Sequence, residues 1–475
     1  MPHTKIKHIG VESIDPRLEH ILEVITRIPS VVGAPVCLPD VHIKEKTEAP
    51  SSFVIATAGT IIPELTAPSV GCGMGVLITS LERASVQPEA FEKFYTAMRE
   101  HLGPRYGFYK NLLLWLGILR RPRNKYDFTP RELEDIIYNG ASGAAGKYNV
   151  PESTLSHIEY GGNAMDPELA RMFKPHDLLP RSAWISGLHD IGYGFKGNHF
   201  LEIQYVDEIF DEATARAWGL KKDQVVIMYH GGGGAVSHYV GRYFANRKKN
   251  RRREKPALFF AKLLFHFSSW ESTRYARDRW RYYFRPHPFQ EVPLESYEGK
   301  RLLAATQASL NYSYAFRLAI AKRIMDSLTG AFGPDAHASL LWDTIHNSIA
   351  RETVGEKEVV VHRHTATRVF EGKPVIVSGF NTTGSYLGIG LTGADENLFS
   401  ADHGAGETIK KFIAEGRVSA HTQEFKTYIY TTKPPHVQIV THITDEGIDH
   451  VMKSLMDAGI TRPVVKLRPL AVFKG

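Results

Sequence analysis

The stretch Thr66-Ala-Pro-Ser-Val-Gly-Cys-Gly-Met-Gly75 carries one of only two cysteines in 475 residues and sets it between glycines. Upstream, Val54 to Ile62 is apolar and β-branched enough for a strand, and Val76-Leu-Ile-Thr79 reads as another. Cys72 is therefore expected on a loop between strands, where Gly71 and Gly73 let backbone approach closely from several sides. A thiolate placed so is a soft metal ligand, whereas a lone cysteine is more often a small packed apolar group. The histidines decide which reading to follow.

The chain holds 22 of them. Four stand at the ends of apolar runs, each beside glycine or asparagine: Gly197-Asn198-His199, Met228-Tyr229-His230 before Gly231 to Gly234, Asp343-Thr344-Ile345-His346-Asn347, and Ala401-Asp402-His403-Gly404-Ala405-Gly406. An imidazole held through one ring nitrogen presents the other, so four such ends and one thiol point to a His/Cys site assembled from distant segments. The glycine run after His230 reads equally well as a phosphate cradle and as a tight turn.

Ligand candidates spread from residue 72 to residue 403 favour one large folded unit over linked domains. Hydrophobic content of 43% and charged content of 23% are ordinary for a soluble globular chain. No run approaches the ~18 uninterrupted apolar residues of a membrane span. Met-Pro-His-Thr-Lys5 lacks the apolar core of a secretory signal, and Cys37 with Cys72 cannot form a disulfide framework, so a cytoplasmic protein is expected. A net charge of +7 permits a polyanionic partner without requiring one. Clustering says more. Asn246 to Lys255 holds seven cations, and Arg274 to Arg285 interleaves five arginines with Tyr275, Trp280, Tyr282, Tyr283 and Phe284. Cations for phosphates beside rings for bases suit single-stranded nucleic acid, while a solvated basic helix with a buried aromatic face would read the same.

Along the chain, residues 1 to 50 read as short strands and turns, and Gln87 to Leu102 as a helix. Thr129-Pro-Arg-Glu132 is a capping box, with Gly140 as the stop and a loop from Asn139 to Gly146. Gly197 to Tyr205 alternates like a strand, placing His199 and Glu202 on opposite faces unless its start is distorted. A helix is expected over Asp207 to Trp218, a buried strand over Gln224 to Tyr229, and a long helix near Leu302 to Leu328. Ser339 to Ile349 reads as helical, with Asp343 and His346 on one face. Strands recur beyond residue 358, before a helix over Asp445 to Asp457 and a strand from Pro463 towards Phe473.

Taken in order, Pro39-Asp40-Val41-His42, Gly71-Cys72-Gly73-Met74, Gly197-Asn198-His199-Phe200-Leu201-Glu202-Ile203, His230 before glycines, Asp343-x-x-His346-Asn347, His403-Gly404-Ala405-Gly406, and Leu467-Arg468-Pro469 through Lys474-Gly475 resemble the RtcB family of RNA ligases. The resemblance runs from about residue 39 to the last residue. It implies an α+β fold: a single large RtcB-like catalytic domain over 1–475, with mixed β-sheets around a central metal and nucleotide cleft and peripheral helices. Residues 240–300 would then form a basic and aromatic insert, a candidate RNA-binding surface.

The same resemblance implies a GTP- and Mn²⁺-dependent ligase joining an RNA 3′-phosphate or 2′,3′-cyclic phosphate to a 5′-hydroxyl through a histidine-GMP intermediate. Cys72, His199, His230 and His346 fall on its metal ligands, the cysteine bridging two ions. His403 falls on the nucleophile. Asn198, Glu202, Ser385 and Lys474 match nucleotide-holding positions, the last three around guanine, with Gly404, Ala405 and Gly406 beside the phosphates. No activating protein is identified.

Four positions depart from the family pattern. Ser69 stands where the family has a ligand aspartate, which weakens the second of one or two ions unless Asp40 compensates. Gly234, His364 and Glu407 replace cations that would face phosphate, leaving Lys410, Lys411 and Arg368 as the nearest substitutes. The alternative these changes motivate is a divergent relative with altered RNA-end chemistry: nucleotidyl transfer, phosphoesterase action or end binding without sealing.

Overall fold

The computed structural model describes residues 5–45, 47–100, 113, 119, 124–189, 191, 195, 197–247, 255–268, 274–285 and 287–474. Its centre is a nine-stranded mixed sheet in which the strands Phe200–Ile209, Gln224–Gly231, Gly73–Glu82 and Ala338–Ile345 lie side by side, each antiparallel to its neighbour. Their residues alternate between two buried faces. Leu77, Leu201, Ile203, Ile227 and Tyr229 pack on one side, and Met74, Val76, Val226 and Met228 on the other. Burial on both faces explains why these strands read as near-continuous apolar runs.

Against the first face lies the helix Tyr297–Phe332, 36 residues long and capped by Ser296, whose Oγ accepts from Gly299 N at 3.0 Å. Leu303, Tyr312, Phe316 and Ile320 join the largest core cluster from it. A helix buried on nearly all sides shows little amphipathic stripe. A second sheet of five strands, among them Val31–His42, Ser51–Thr57, Lys357–His364 and Asn347–Val354, abuts the first. The short pair Ala366–Arg368 and Ser400–Asp402 lies at their junction: Ala366 N donates to the His346 carbonyl at 2.9 Å. The fold is α+β, with mixed sheets as expected. Among the described residues no helix is long and apolar enough to cross a membrane.

Several local expectations need correction. Ser339 to Ile349 is not a helix. It is the strand Ala338–Ile345 running into Asn347–Val354. Leu340, Trp342 and Thr344 alternate with Leu341, Asp343 and Ile345, all of them buried, so helical spacing was a by-product of apolar residues at nearly every position. Residues 1 to 50 contain the helix Pro16–Thr26, begun by Asp15, whose side chain accepts from Arg17 N; Leu18, Leu22 and Ile25 form its buried stripe. The helix Ser142–Tyr148 occupies much of the expected loop, packed so closely that a Cβ on Gly143 would lie 2.9 Å from Ile136 N. The helix expected from Asp207 is only Glu212–Ala217, because residues through Ile209 continue the strand. The capping box holds: Glu132 N donates to Thr129 Oγ1 at 3.2 Å and Thr129 N to Glu132 Oε2 at 2.7 Å.

Candidate metal and nucleotide site

Antiparallel pairing alternates strand direction, so the start of Phe200–Ile209, the end of Gln224–Gly231, the start of Gly73–Glu82 and the end of Ala338–Ile345 share one edge of the sheet. The registers Phe200↔His230, Gly73↔Gly231 and Gly73↔Ile345 fix this. His199, His230, Cys72 and His346 occupy those four ends. His199 precedes its strand, after Gly197 at φ +71°, which removes it from the strict alternation that would have opposed it to Glu202.

Cys72 Sγ lies 3.3 Å from His199 Nε2 and 3.4 Å from His230 Nε2, and His230 Nε2 lies 2.9 Å from His346 Nε2. His403 comes from the end of Ser400–Asp402 and stacks on His346, with ring centroids 4.3 Å apart. Two three-ligand groups result, Cys72/His199/His230 and His230/His346/His403, each with its ligand atoms within 4.8 Å of one another. All five predicted side chains are thus brought together. Neither group contains a carboxylate, and Cys72 shares no group with His346.

Burial dominates the electrostatics. It pushes the Cys72 thiol up to about 12, His199 down to about 4 and His403 down to about 3, and holds His230 and His346 well below the ordinary range. Neutral imidazoles keep their lone pairs, and a buried thiol ionises only beside a compensating cation. His230 Nδ1 donates to the Asn198 carbonyl at 3.2 Å, which turns the Nε2 lone pair towards Cys72 and His346. One thiol and converging Nε2 atoms fit a first-row transition ion, with Zn²⁺ or Co²⁺ matching the donors at least as well as Mn²⁺.

His403 is oriented in the same way. Its Nδ1 donates to the Thr365 carbonyl at 3.1 Å, leaving Nε2 as the basic nitrogen. Thr365 sits at φ +53°, held there by Asn347: Thr365 N donates to Asn347 Oδ1 at 2.9 Å, while Asn347 Nδ2 donates to the Ser69 carbonyl at 3.2 Å. Asn347 therefore ties the cysteine loop to the turn that aims His403.

Sequence reasoning missed three further supports. Arg317 on the long helix grips both Asp343 oxygens at 2.7 to 2.9 Å and donates from Nη1 to the Gly71 carbonyl at 2.7 Å. Asp343 is thus a buried partner of Arg317 and Tyr229 and belongs to neither ligand group. Arg247, first cation of the basic cluster, is buried and donates to the carbonyls of Thr66 and Pro63 at 2.9 and 2.8 Å and to Glu48 at 3.1 Å, so it anchors the cysteine loop. Residues 248–254 of that cluster lie outside the described residues. Gln204 is the third. Its Nε2 donates to Glu202 Oε2 at 2.6 Å and to Ser385 Oγ at 3.3 Å.

The strands carrying Glu202 and Ser385 flank Thr461–Lys474, through Glu202↔Val472 and Ser385↔Leu467, and the exposed Lys474 is close enough to Glu202 to oppose the rise in its pKa. Asn198 is exposed in its turn. The run Gly404 to Gly406 leads into the helix Gly406–Ala414. Gly404 is required by packing, since a Cβ there would lie 2.7 Å from Ser378 Oγ. In the Gly231 to Gly234 run, a Cβ on Gly232 would meet Cys72 Sγ at 3.2 Å, so close approach to the site accounts for that glycine.

The residues expected to compensate are found with other partners. Asp40 Oδ1 accepts from Thr408 N at 2.7 Å and Thr408 Oγ1 at 2.9 Å, committing its carboxylate to the first turn of the helix Gly406–Ala414 instead of to a metal. Lys410 pairs with Glu407 at 2.9 Å, Lys411 with Ser13 at 3.0 Å, and Arg368 with Glu352 at 3.2 Å. Half-buried Lys44 is the cation whose charge acts on Cys72, His230, His346 and His403 together. On the insert, the helix Ala276–Tyr283 buries Arg279 against Glu298 at 2.6 Å and buries Tyr282 and Tyr283, but exposes Arg277, Trp280 and Arg281. One face is thus the buried aromatic one, and the other leaves two cations and an indole on the surface.

Near the site, His362 gives a pH prediction. Its Nε2 accepts from Ile62 N at 3.0 Å, and burial pushes its pKa from 6.5 down to about 3. Above pH 6.5 neither folded nor unfolded chain protonates it. Between 6.5 and about 3 only the unfolded chain does, so unfolding free energy falls by about 1.4 kcal/mol per pH unit from this group. His362→Gln keeps an acceptor and removes the titration. Denaturant unfolding of the chelated protein at pH 6, 5 and 4 is expected to show a slope shallower by nearly one proton in the variant; an equal slope would assign the effect elsewhere.

A family model described as tRNA-splicing ligase RtcB matches residues 22–475. The tRNA-splicing ligase RtcB of Thermococcus kodakarensis is 27% identical over 489 residues, covering 95% of this chain and 89% of its own length. That of Methanococcus maripaludis is 28% identical, covering 88% and 82%. That of Archaeoglobus fulgidus is 25% identical, covering 95% and 89%.

Proposed function

The chain belongs to the RtcB family, and on that premise we propose that it is an RNA ligase that uses GTP and manganese to join a 3′-phosphate or 2′,3′-cyclic phosphate end to a 5′-hydroxyl end, in tRNA splicing or RNA repair in the cytoplasm. The observation that carries the reading is His403: a neutral imidazole, tethered through Nδ1, with its free nitrogen among the other ligands.

Cys72, His199, His230 and His346 would hold the manganese, which when bound supplies positive charge beside the phosphates. His403 Nε2 attacks the α-phosphorus of GTP. The N–P bond forms, the bond to pyrophosphate breaks, and the Thr365 carbonyl stabilises the charge that develops on the ring through Nδ1–H. An oxygen of the RNA 3′-phosphate then displaces His403, leaving GMP on the RNA end. Attack by the 5′-hydroxyl forms the phosphodiester and expels GMP. A cyclic phosphate must first be opened by water. Asn198, Glu202, Ser385 and Lys474 hold the nucleotide, with Gly404, Ala405 and Gly406 beside its phosphates. Lys44 supplies a cation in place of those missing at Gly234, His364 and Glu407. Arg277, Trp280 and Arg281 offer the RNA strand charge and a stacking surface.

The test is incubation with radiolabelled GTP and Mn²⁺, then with a 3′-phosphate strand and a 5′-hydroxyl strand. Acid-labile label followed by sealing is expected. Chelation should abolish both, and added Mn²⁺ should restore them. In Cys72→Ser, bound metal measured by mass spectrometry should fall by about one ion per chain. Label without sealing would favour the altered end chemistry motivated by Ser69, Gly234 and Glu407. No label at any metal concentration rejects the ligase reading.

A further inference from the structure

Glu202 and Gln204 are two apart on one strand, so their side chains share a face, and both are buried. The single amide group of Gln204 bridges Glu202 Oε2 and Ser385 Oγ, at 2.6 and 3.3 Å. Ser385 Oγ also accepts from Gly379 N at 3.0 Å. With both lone pairs taken by N–H donors, the Ser385 hydroxyl has only its hydrogen left to offer. Glu202 is biased the opposite way. An N–H donor on Oε2 favours the ionised carboxylate, leaving Oε1 as an acceptor, and Gln204 and Lys474 both act in that direction against the burial that raises the group to about 8 overall.

We propose that Gln204 is a positioning residue that sets the hydrogen-bond polarity of the base pocket, making it accept a 6-oxopurine and refuse a 6-aminopurine. This rests on the reading that puts Glu202 and Ser385 against the base. A 6-oxopurine presents an acceptor, O6, beside a donor, N1–H, matching a serine that donates and a carboxylate that accepts. A 6-aminopurine presents the reverse pair and meets donor with donor and acceptor with acceptor. The Gln204 carbonyl oxygen is itself buried without a partner, an imbalance that belongs to a side chain held for what its amide donates.

The test is calorimetric binding of GDP, IDP and ADP with Mn²⁺ to the wild-type chain, to Gln204→Met, which keeps the length and removes the donors, and to Gln204→Glu, with thermal unfolding of each as a control. GDP is expected to outbind ADP by roughly a hundredfold or more in the wild type, as for other sites built around buried polar partners. IDP should keep most of that preference, since it retains O6 and N1–H. Gln204→Met should shrink the GDP to ADP ratio roughly tenfold or more, the scale of a hydrogen bond to a charged group, with both nucleotides still bound. If that variant fails to fold, Gln204→Glu, which sets two carboxyls side by side, should show the same loss of ratio. An unchanged ratio in folded variants, or a wild-type chain that binds both nucleotides equally or neither, overturns the inference. Covalent labelling of the wild type by GTP is scored separately, so GDP preference without labelling would reject the ligase reading and leave the role of Gln204 standing.

Discussion

His403→Ala is expected to abolish acid-labile labelling by radiolabelled GTP and to lower RNA sealing at least about a thousandfold, the scale on which enzymes lose rate when their nucleophile is removed. The expectation follows from what the ring does in the fold. Its Nδ1 is engaged by Thr365, so Nε2 is the nitrogen left with a lone pair, and burial keeps the ring neutral at pH values where the reaction would run. The ring is only half-buried and ends one three-residue strand, so its truncation should leave the thermal unfolding midpoint nearly unchanged. Binding of GDP should survive, because Glu202, Ser385 and Gln204 lie in a different part of the sheet. A variant that still takes label would move the covalent chemistry to another residue and remove the observation on which the functional reading stands.

The same residue shows how much the chain discloses before it is folded. His403, Cys72 and the other three histidines were legible because each breaks an apolar run beside a small or amide residue, and such breaks mark strand ends. That the ends share one edge was not legible, since it depends on antiparallel registers, two of which join Gly73–Glu82 to segments more than a hundred residues away. Arg317 left no trace either. It sits mid-helix among apolar residues, and only the helix's position against Gly71 gives it a purpose. The strand at Ala338–Ile345 was misread because a strand buried on both faces loses its period of two. Asp40, Lys410 and Lys411 were sensible replacements by distance along the chain, yet each already has a nearer partner. Charge counts cannot show which ions are spent on structure.

Arg317→Met should lower the unfolding free energy by about 3–5 kcal/mol, because it strands the Asp343 carboxylate in the interior with Tyr229 as its one remaining donor. The pair is fully enclosed, and its two-pronged geometry, with contacts of 2.7 to 2.9 Å, keeps both groups charged against the penalty of burial. Stability and metal binding should separate on the double variant. Replacing both partners by apolar groups, as in Arg317→Met with Asp343→Leu, removes the stranded charge and is expected to recover more than half of the lost stability in denaturant unfolding of the chelated protein. It cannot recover the bond from Arg317 Nη1 to the Gly71 carbonyl, which fixes the backbone next to Cys72. Metal affinity in the double variant should therefore stay roughly 10- to 100-fold below wild type, as when a group that orients a ligand is lost. Full recovery of metal affinity together with stability would mean that the cysteine loop is held by Arg247 and Asn347 alone, and that the buried pair serves only the helix and the sheet.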